Sequence, residues 1–297
     1  MIKRCGIVAI VGRPNVGKST LMNHLLGVKI SITSRKPQTT RDRILGIHAV
    51  GDSQIIFVDT PGIHKADDKA INRHMNKAAV QALNDVDAVL MIIDKAKWLS
   101  EDELVLRELH NASVPVILVI NKIDQLDDKE VLLPFIASEE TQALGFHDIL
   151  PISALNGHNL EALETVLAGL MPEGQAMFDE DQITDRSMRF LASEIVREKL
   201  MRQLGEEVPY GIAVQIESYE QGEAIVHIDA LILVESDGQK AIVIGKGGAR
   251  LKQVGQAARL DIERLAGQKV MLNLWVKVRK GWSDDIRALQ SLGYTDQ

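Results

Sequence analysis

Gly12, Arg13, Pro14, Asn15, Val16, Gly17, Lys18, Ser19 and Thr20 bring two glycines, a lysine and two hydroxyls into one short stretch. Residues of these types at this spacing hold phosphate. The glycines let backbone N–H groups approach phosphate oxygens, and a helix starting at Lys18 adds positive potential. Lys18 neutralises β/γ charge, and the Ser19 hydroxyl can ligate Mg²⁺. Further along, Asp59, Thr60, Pro61 and Gly62 place a carboxylate beside a Pro-Gly turn. Asp59 can hold a Mg²⁺ shell through water, and the Gly62 N–H can meet a γ-phosphate. Asn121, Lys122 and Asp124 choose the base. An ionised carboxylate only accepts hydrogen bonds, and guanine offers adjacent donors at N1 and N2 where adenine does not. Ser153 and Ala154 can direct a backbone N–H at the guanine O6. Each motif alone could be turn material. In this order, each after its own strand, they imply a guanine-nucleotide site.

These groups need a scaffold that ends strands at one rim. Short apolar runs at Gly6–Val11, Ile44–Ala49, Gln54–Val58, Ala88–Ile93, Val116–Ile120 and Asp148–Pro151 read as strands. Helical patterns at Lys18–Leu26, Ile71–Leu83, Glu101–His110, Val131–Leu144 and Leu160–Leu170 fall between most of them. The alternation predicts a mostly parallel α/β sheet, with ligand at the C-terminal ends of its strands.

After Leu170 the stretch 171–185 is rich in Pro, Gly and acids and has no periodicity, which marks a domain boundary. We expect a nucleotide domain over 1–172, a linker over 173–188 and a second domain over 189–297. The pattern there predicts an amphipathic helix over Phe190–Leu204 and strand-like runs Tyr210–Glu217 and Ala224–Glu235, turning at Gln221 and Gly222. A strand-like run Ala241–Ile244 follows, then a helix with apolar positions 251, 254, 258, 262 and 265, and a last strand Val270–Val278. The net charge of −7 conceals an asymmetry: between Lys240 and Trp282 ten cations face only Asp261 and Glu263, leaving +8 there and −15 elsewhere. Within that basic stretch lie Gly245, Lys246, Gly247 and Gly248. A Gly-x-x-Gly loop in this setting is similar to that of a type II KH domain, about 203–281 here, which clamps about four nucleotides of single-stranded RNA. Lys246, Arg250 and Lys252 would then lie beside the RNA backbone.

Composition excludes other classes. The single cysteine, Cys5, cannot form an internal disulfide, and the eight histidines show no zinc-site spacing, so a reducing compartment is expected. The apolar run after Lys3 and Arg4 leads straight into the phosphate motif and lacks a cleavage site. No apolar stretch approaches the ~20 residues of a membrane-spanning helix.

Gly12–Ser19, the run Gln38, Thr39, Thr40 and Arg41, then Asp59–Gly62 and Asn121–Asp124 resemble the Era-like family within the translation-factor class of GTPases. With the KH-like segment and the stretch Leu274–Trp282, the resemblance covers almost the whole chain. It implies GTP hydrolysis with Mg²⁺ held by Ser19, Asp59 and one threonine, Thr40 in preference to Thr39. It also implies binding to the 3′ end of 16S rRNA, a role in 30S assembly, and a monomer that binds no DNA. The protein would be cytoplasmic, with peripheral association with the inner membrane. Ile63 stands where Ras-like enzymes carry a water-orienting glutamine. Relatives with an asparagine at the Asn15 position use K⁺ in place of an arginine finger, while Arg41 and Arg43 are the cis alternatives. Lys18, Thr40, Gly62 and Asn15 are therefore the catalytic candidates. Trp275 and Trp282 could stack on bases, although Trp275, in an alternating strand, reads as core. A GTPase of tRNA modification would bring an extra helical domain and a C-terminal reactive cysteine, and neither is present.

Overall fold

The computed structural model describes residues 2–34, 39–62, 70–110, 112–204 and 211–292. The chain divides into two compact units. One comprises Met1–Ser31, Thr40–Ala66 and Met75–Asp185, and the other Ile32–Thr39, Asp67–His74 and Arg186–Gln297.

The first unit is built on a six-stranded sheet. In chain order its elements are β1 (Arg4–Val11), α1 (Lys18–Leu26), β2 (Ile44–Val50), β3 (Ser53–Asp59) and, from Met75 on, α2 (Ala70–Gln81). Then come β4 (Ala88–Asp94), α3 (Ser100–Leu109), β5 (Val116–Asn121), α4 (Leu132–Ala137), α5 (Glu139–Gln142), β6 (Asp148–Pro151) and α6 (Leu160–Leu170). The strand order is β2-β3-β1-β4-β5-β6, with only β2 antiparallel to its neighbour. Every residue of β3 is buried, as are all of β4 except Asp94, because helices cover both faces of a parallel sheet. β1 is central. Successive strands leave it in opposite directions, so the loops after β1 and β3 open at the rim where a doubly wound sheet binds ligand. The helix expected over Val131–Leu144 is broken at Ser138, whose hydroxyl accepts the Thr141 N–H and starts α5. Residues expected as linker are laid along this unit: Gly174 N–H donates to Lys3 O, Phe178 N–H to Gln54, and Ile47 N–H to Ile183 O.

The second unit runs α7 (Met188–Gln203), β7 (Ile212–Gln221), β8 (Ile225–Val234), α8 (Asp237–Ile244), α9 (Ala249–Ala266), β9 (Lys269–Val278) and α10 (Ile286–Ser291). Its three-stranded sheet pairs β7 antiparallel and β9 parallel to β8. Strand alternation sends Ala230 and Ile232 to a core shared with α7 and α9, and Leu231 and Leu233 to the other face with Trp282, Ala288 and Leu289. Ala241–Ile244, expected as strand, forms the last turns of α8. Ser236 caps that helix by accepting the Gln239 N–H, and in this setting the apolar run is helical.

α7 is more than amphipathic. Its apolar stripe is buried, but so are Glu194, Arg197, Glu198 and Lys199. Within this unit Glu198 accepts from Thr33 N–H and Oγ1 (both 3.2 Å), Arg197 donates to Thr39 O (2.6 Å), and Lys199 pairs with Asp261. Among the described residues no helix is long and apolar enough to cross a membrane.

Candidate functional site

The loop between β1 and α1 needs unusual backbone angles. Gly17 has φ 108°, and a Cβ there would lie 2.2 Å from Asn121 Nδ2, so only glycine fits. Lys18, the first residue of α1, is buried and donates through Nζ to Gly12 O (2.8 Å) and Arg13 O (3.0 Å). Burial pulls its ammonium down to about 8. The Asp59 carboxylate opposes that shift, and the nearby Arg13 guanidinium adds to it.

Behind the loop stands a cluster of oxygens. Ser19 Oγ donates to Asp59 Oδ2 (2.7 Å) and lies 3.0 Å from Thr40 Oγ1, while Ser31 Oγ also donates to Asp59 Oδ2 (2.7 Å). Asp59 is fully buried at the end of β3, and burial raises its pKa against the hydrogen bonds from Ser31 and Ser19. Its other oxygen, Oδ1, has no hydrogen-bond partner among the described residues. Two hydroxyls and a carboxylate with an unsatisfied oxygen are hard donors of the type Mg²⁺ takes alongside phosphate, so these residues fit that ion. Of the two threonines left open by the sequence, Thr40 has its hydroxyl at this cluster. Thr60 turns its hydroxyl inward to Ile10 O (2.8 Å) and ties β3 to β1. Gly62 approaches the loop so closely that a Cβ would stand 2.8 Å from Pro14 N. Ile63 lies outside the described residues. Arg41 is buried and Arg43 exposed.

The base end follows β5 and β6. Asn121, also buried, donates from Nδ2 to Val16 O (2.8 Å) and accepts at Oδ1 from Lys122 N–H (2.8 Å) and Ala154 N–H (2.9 Å). Lys122, at positive φ, reaches Asn15 O (2.7 Å) and Asp94 (2.8 Å). Ser153 Oγ donates to Asp124 Oδ1 (2.6 Å), which fixes the carboxylate expected to read guanine. The Ser153 N–H meets His158 O, so with Ala154 N–H on Asn121 both N–H groups of the pair expected to offer one to guanine O6 have partners within the protein. The motifs expected from sequence thus meet at one rim. Ser31 and Asp94 support them, and no local signal marked either.

In the second unit Gly245, Gly247 and Gly248 all have positive φ between α8 and α9. Lys246 and Lys252 are exposed, whereas Arg250 is partly buried and donates to Ile242 O at the end of α8. Beside them Ile242 is 42% exposed, an apolar residue on an otherwise basic rim. The tryptophans exchange their expected places: Trp282 is fully buried and gives its indole N–H to Gly211 O, while Trp275 is 37% exposed. Trp282 therefore cannot stack on a base.

Residues 7–122 match the family model described as 50S ribosome-binding GTPase, and residues 207–283 match that of the KH domain. The chain is 59% identical over 293 residues to GTPase Era of Azotobacter vinelandii, covering 99% of this chain and 97% of that one. Identity to GTPase Era of Pseudomonas putida strain W619 is the same over the same shares. Among solved structures, an Aquifex aeolicus Era variant bound to GDP·AlF4⁻ superposes with a TM-score of 0.93 at 42% identity, covering 99% and 100% of the two chains. Era in complex with MgGDPNP and nucleotides 1506–1542 of 16S ribosomal RNA gives the same values.

Proposed function

The chain belongs to the GTPase Era family, and from that premise we propose that it is a GTP-driven switch that binds the 3′ end of 16S rRNA in assembly of the 30S subunit. It is an enzyme that hydrolyses GTP to GDP and phosphate. The observation that carries the proposal is the presence, in one chain, of a closed nucleotide site and an open cationic glycine loop. The relative solved with MgGDPNP and 16S nucleotides supports extending both ligands to this chain. We assign the nucleotide domain to 1–172, the connection to 173–188 and the RNA-binding domain to 189–297. We place the protein in the cytoplasm, as a monomer that touches the inner membrane only peripherally.

Asp124 selects guanine by accepting from its N1 and N2 donors, and Asn121 and Lys122 brace the loop that receives the phosphates. Lys18 gives up its carbonyl partners for β/γ-phosphate oxygens, which restore its full charge. Mg²⁺, held by Ser19 and Thr40 with Asp59 behind them, would supply the charge that β- and γ-oxygens need. The Gly62 N–H meets the γ-phosphate, so Thr40 and Gly62 sense its presence and loss. Asn15 is the residue toward which K⁺ would be directed. Lys246 and Lys252 face the RNA backbone across the glycine loop, and exposed Ile242 offers an apolar contact to a base.

A single binding series tests the switch. The protein is loaded with GDP or a non-hydrolysable GTP analogue and titrated with the single-stranded 16S 3′ end and a scrambled control. Selective binding at least ~10-fold tighter with the analogue is expected, since a ligand shifts a two-state equilibrium only through its differential affinity. Equal binding in both states makes the second domain an uncoupled module with incidental hydrolysis. Binding without selectivity removes the assigned RNA.

A further inference from the structure

The phosphate-binding loop is held from outside at three residues. Two holds come from the base motif: Lys122 at Asn15 O and Asn121 at Val16 O. The third comes from α3, which carries no recognised motif. Asp102, in the first turn of α3, has its carboxylate fully buried, with Arg13 Nε 3.2 Å from Oδ1 and 3.4 Å from Oδ2. Arg13 is itself the loop residue whose carbonyl accepts from Lys18.

A carboxylate that only caps a helix can stay in water. Asp102 does accept the Leu99 N–H (3.0 Å), but this one bond does not explain a side chain with no exposure. Burying an ionised carboxylate is costly unless a cation compensates it, and the compensating cation comes from the loop. The loop between β4 and α3 is also firm. Lys95 N–H donates to Asn121 O, and Trp98 packs on Phe135 and Phe146 and donates to Thr141. Asp102 is thus presented to Arg13 by a fixed support.

We propose that Asp102 is a positioning residue for nucleotide binding, acting through Arg13 to hold the phosphate loop in its binding shape. It rests on the reading of that loop as the GTP site. Asp102 never touches the nucleotide. It fixes the Arg13 main chain against which Lys18 is set, and it neutralises a guanidinium that would otherwise repel Lys18. Loop order is required by ground state and transition state alike, so the effect belongs in KM rather than kcat.

Asp102→Asn keeps an oxygen for the Leu99 N–H and removes the charge facing Arg13. Its GDP affinity, read with a fluorescent GDP analogue, should fall about tenfold, with KM for GTP rising similarly and kcat within about twofold. In an Arg13→Gln background the same substitution should cost less than about twofold, because the pair is already broken. Melting of each nucleotide-free variant checks the fold. Unchanged affinity in Asp102→Asn, or an equal loss in both backgrounds, would overturn the proposal, the latter by assigning the effect to the α3 cap. If Asp102→Asn does not fold, Arg13→Lys against Arg13→Gln decides. Lysine should recover most of what glutamine loses, and no recovery sinks the idea. Failure of the wild-type chain to bind GDP would instead refute the site itself.

Discussion

The glycine-bearing turns that lead into α1 and α9, one in each unit, differ in burial and in openness. At Gly12–Ser19 the lysine is buried, spans two carbonyls and has its pKa lowered by that burial, and other elements brace the loop. At Gly245–Gly248 Lys246 is exposed, and a Cβ on Gly247 would meet nothing within 4 Å. A closed loop surrounds one small anion and rejects whatever does not fit. An open loop presents charge to a polymer whose length supplies the affinity. The same backbone device therefore serves a nucleotide in one unit and an RNA strand in the other.

The sharpest way to break this contrast is to remove each lysine or glycine in turn. Lys18→Ala deletes a buried cation, and charge-assisted hydrogen bonds of about 1.5–3 kcal/mol each predict a loss of GDP affinity of roughly 10²–10³-fold. Calorimetric titration measures it, and a loss below fivefold would mean that the backbone N–H groups do most of the binding. Gly247→Asp adds a negative charge in open space at a φ of 58° that aspartate tolerates. We expect RNA affinity to fall about tenfold by phosphate repulsion, with GDP affinity unchanged. A drop in both affinities would erase the distinction between the loops.

What the sequence made legible tracks where the determinants lie. All six strands of the first unit and its nucleotide motifs could be read because each depends on a few adjacent residues. The α8 error shows a competing local signal: Ala241–Ile244 looks like a strand, yet Ser236 five residues earlier starts the helix. Buried charges on α7 could not be read at all. Glu198 pairs with Arg202 one turn along the helix, but it also accepts from Thr33, 165 residues away in sequence, and no periodicity carries that second contact. The burial of Trp282 was illegible for a similar reason, since it depends on Ala213, Leu231 and Leu233, about 50 to 70 residues earlier in the chain. Asp102 lies in the same class.

The smallest expected effect is a protonation change at the closed loop. Burial leaves Lys18 only part-protonated near pH 8, so it should pick up a proton when phosphate arrives. The sign follows from the shift. The folded pKa, about 8, lies below the ordinary 10.5, so between these values the nucleotide-free fold binds fewer protons than the unfolded chain, and its stability rises with pH across that window. A bound diphosphate favours the charged ammonium and moves the pKa back up. GDP binding near pH 8 should therefore take up about half a proton. Titration calorimetry in two buffers of different ionisation enthalpy reads the number directly. Lys18→Arg, whose guanidinium stays charged, should abolish the uptake even if it weakens binding. Uptake that persists in Lys18→Arg would assign the proton to another group and leave Lys18 fully charged before the nucleotide arrives.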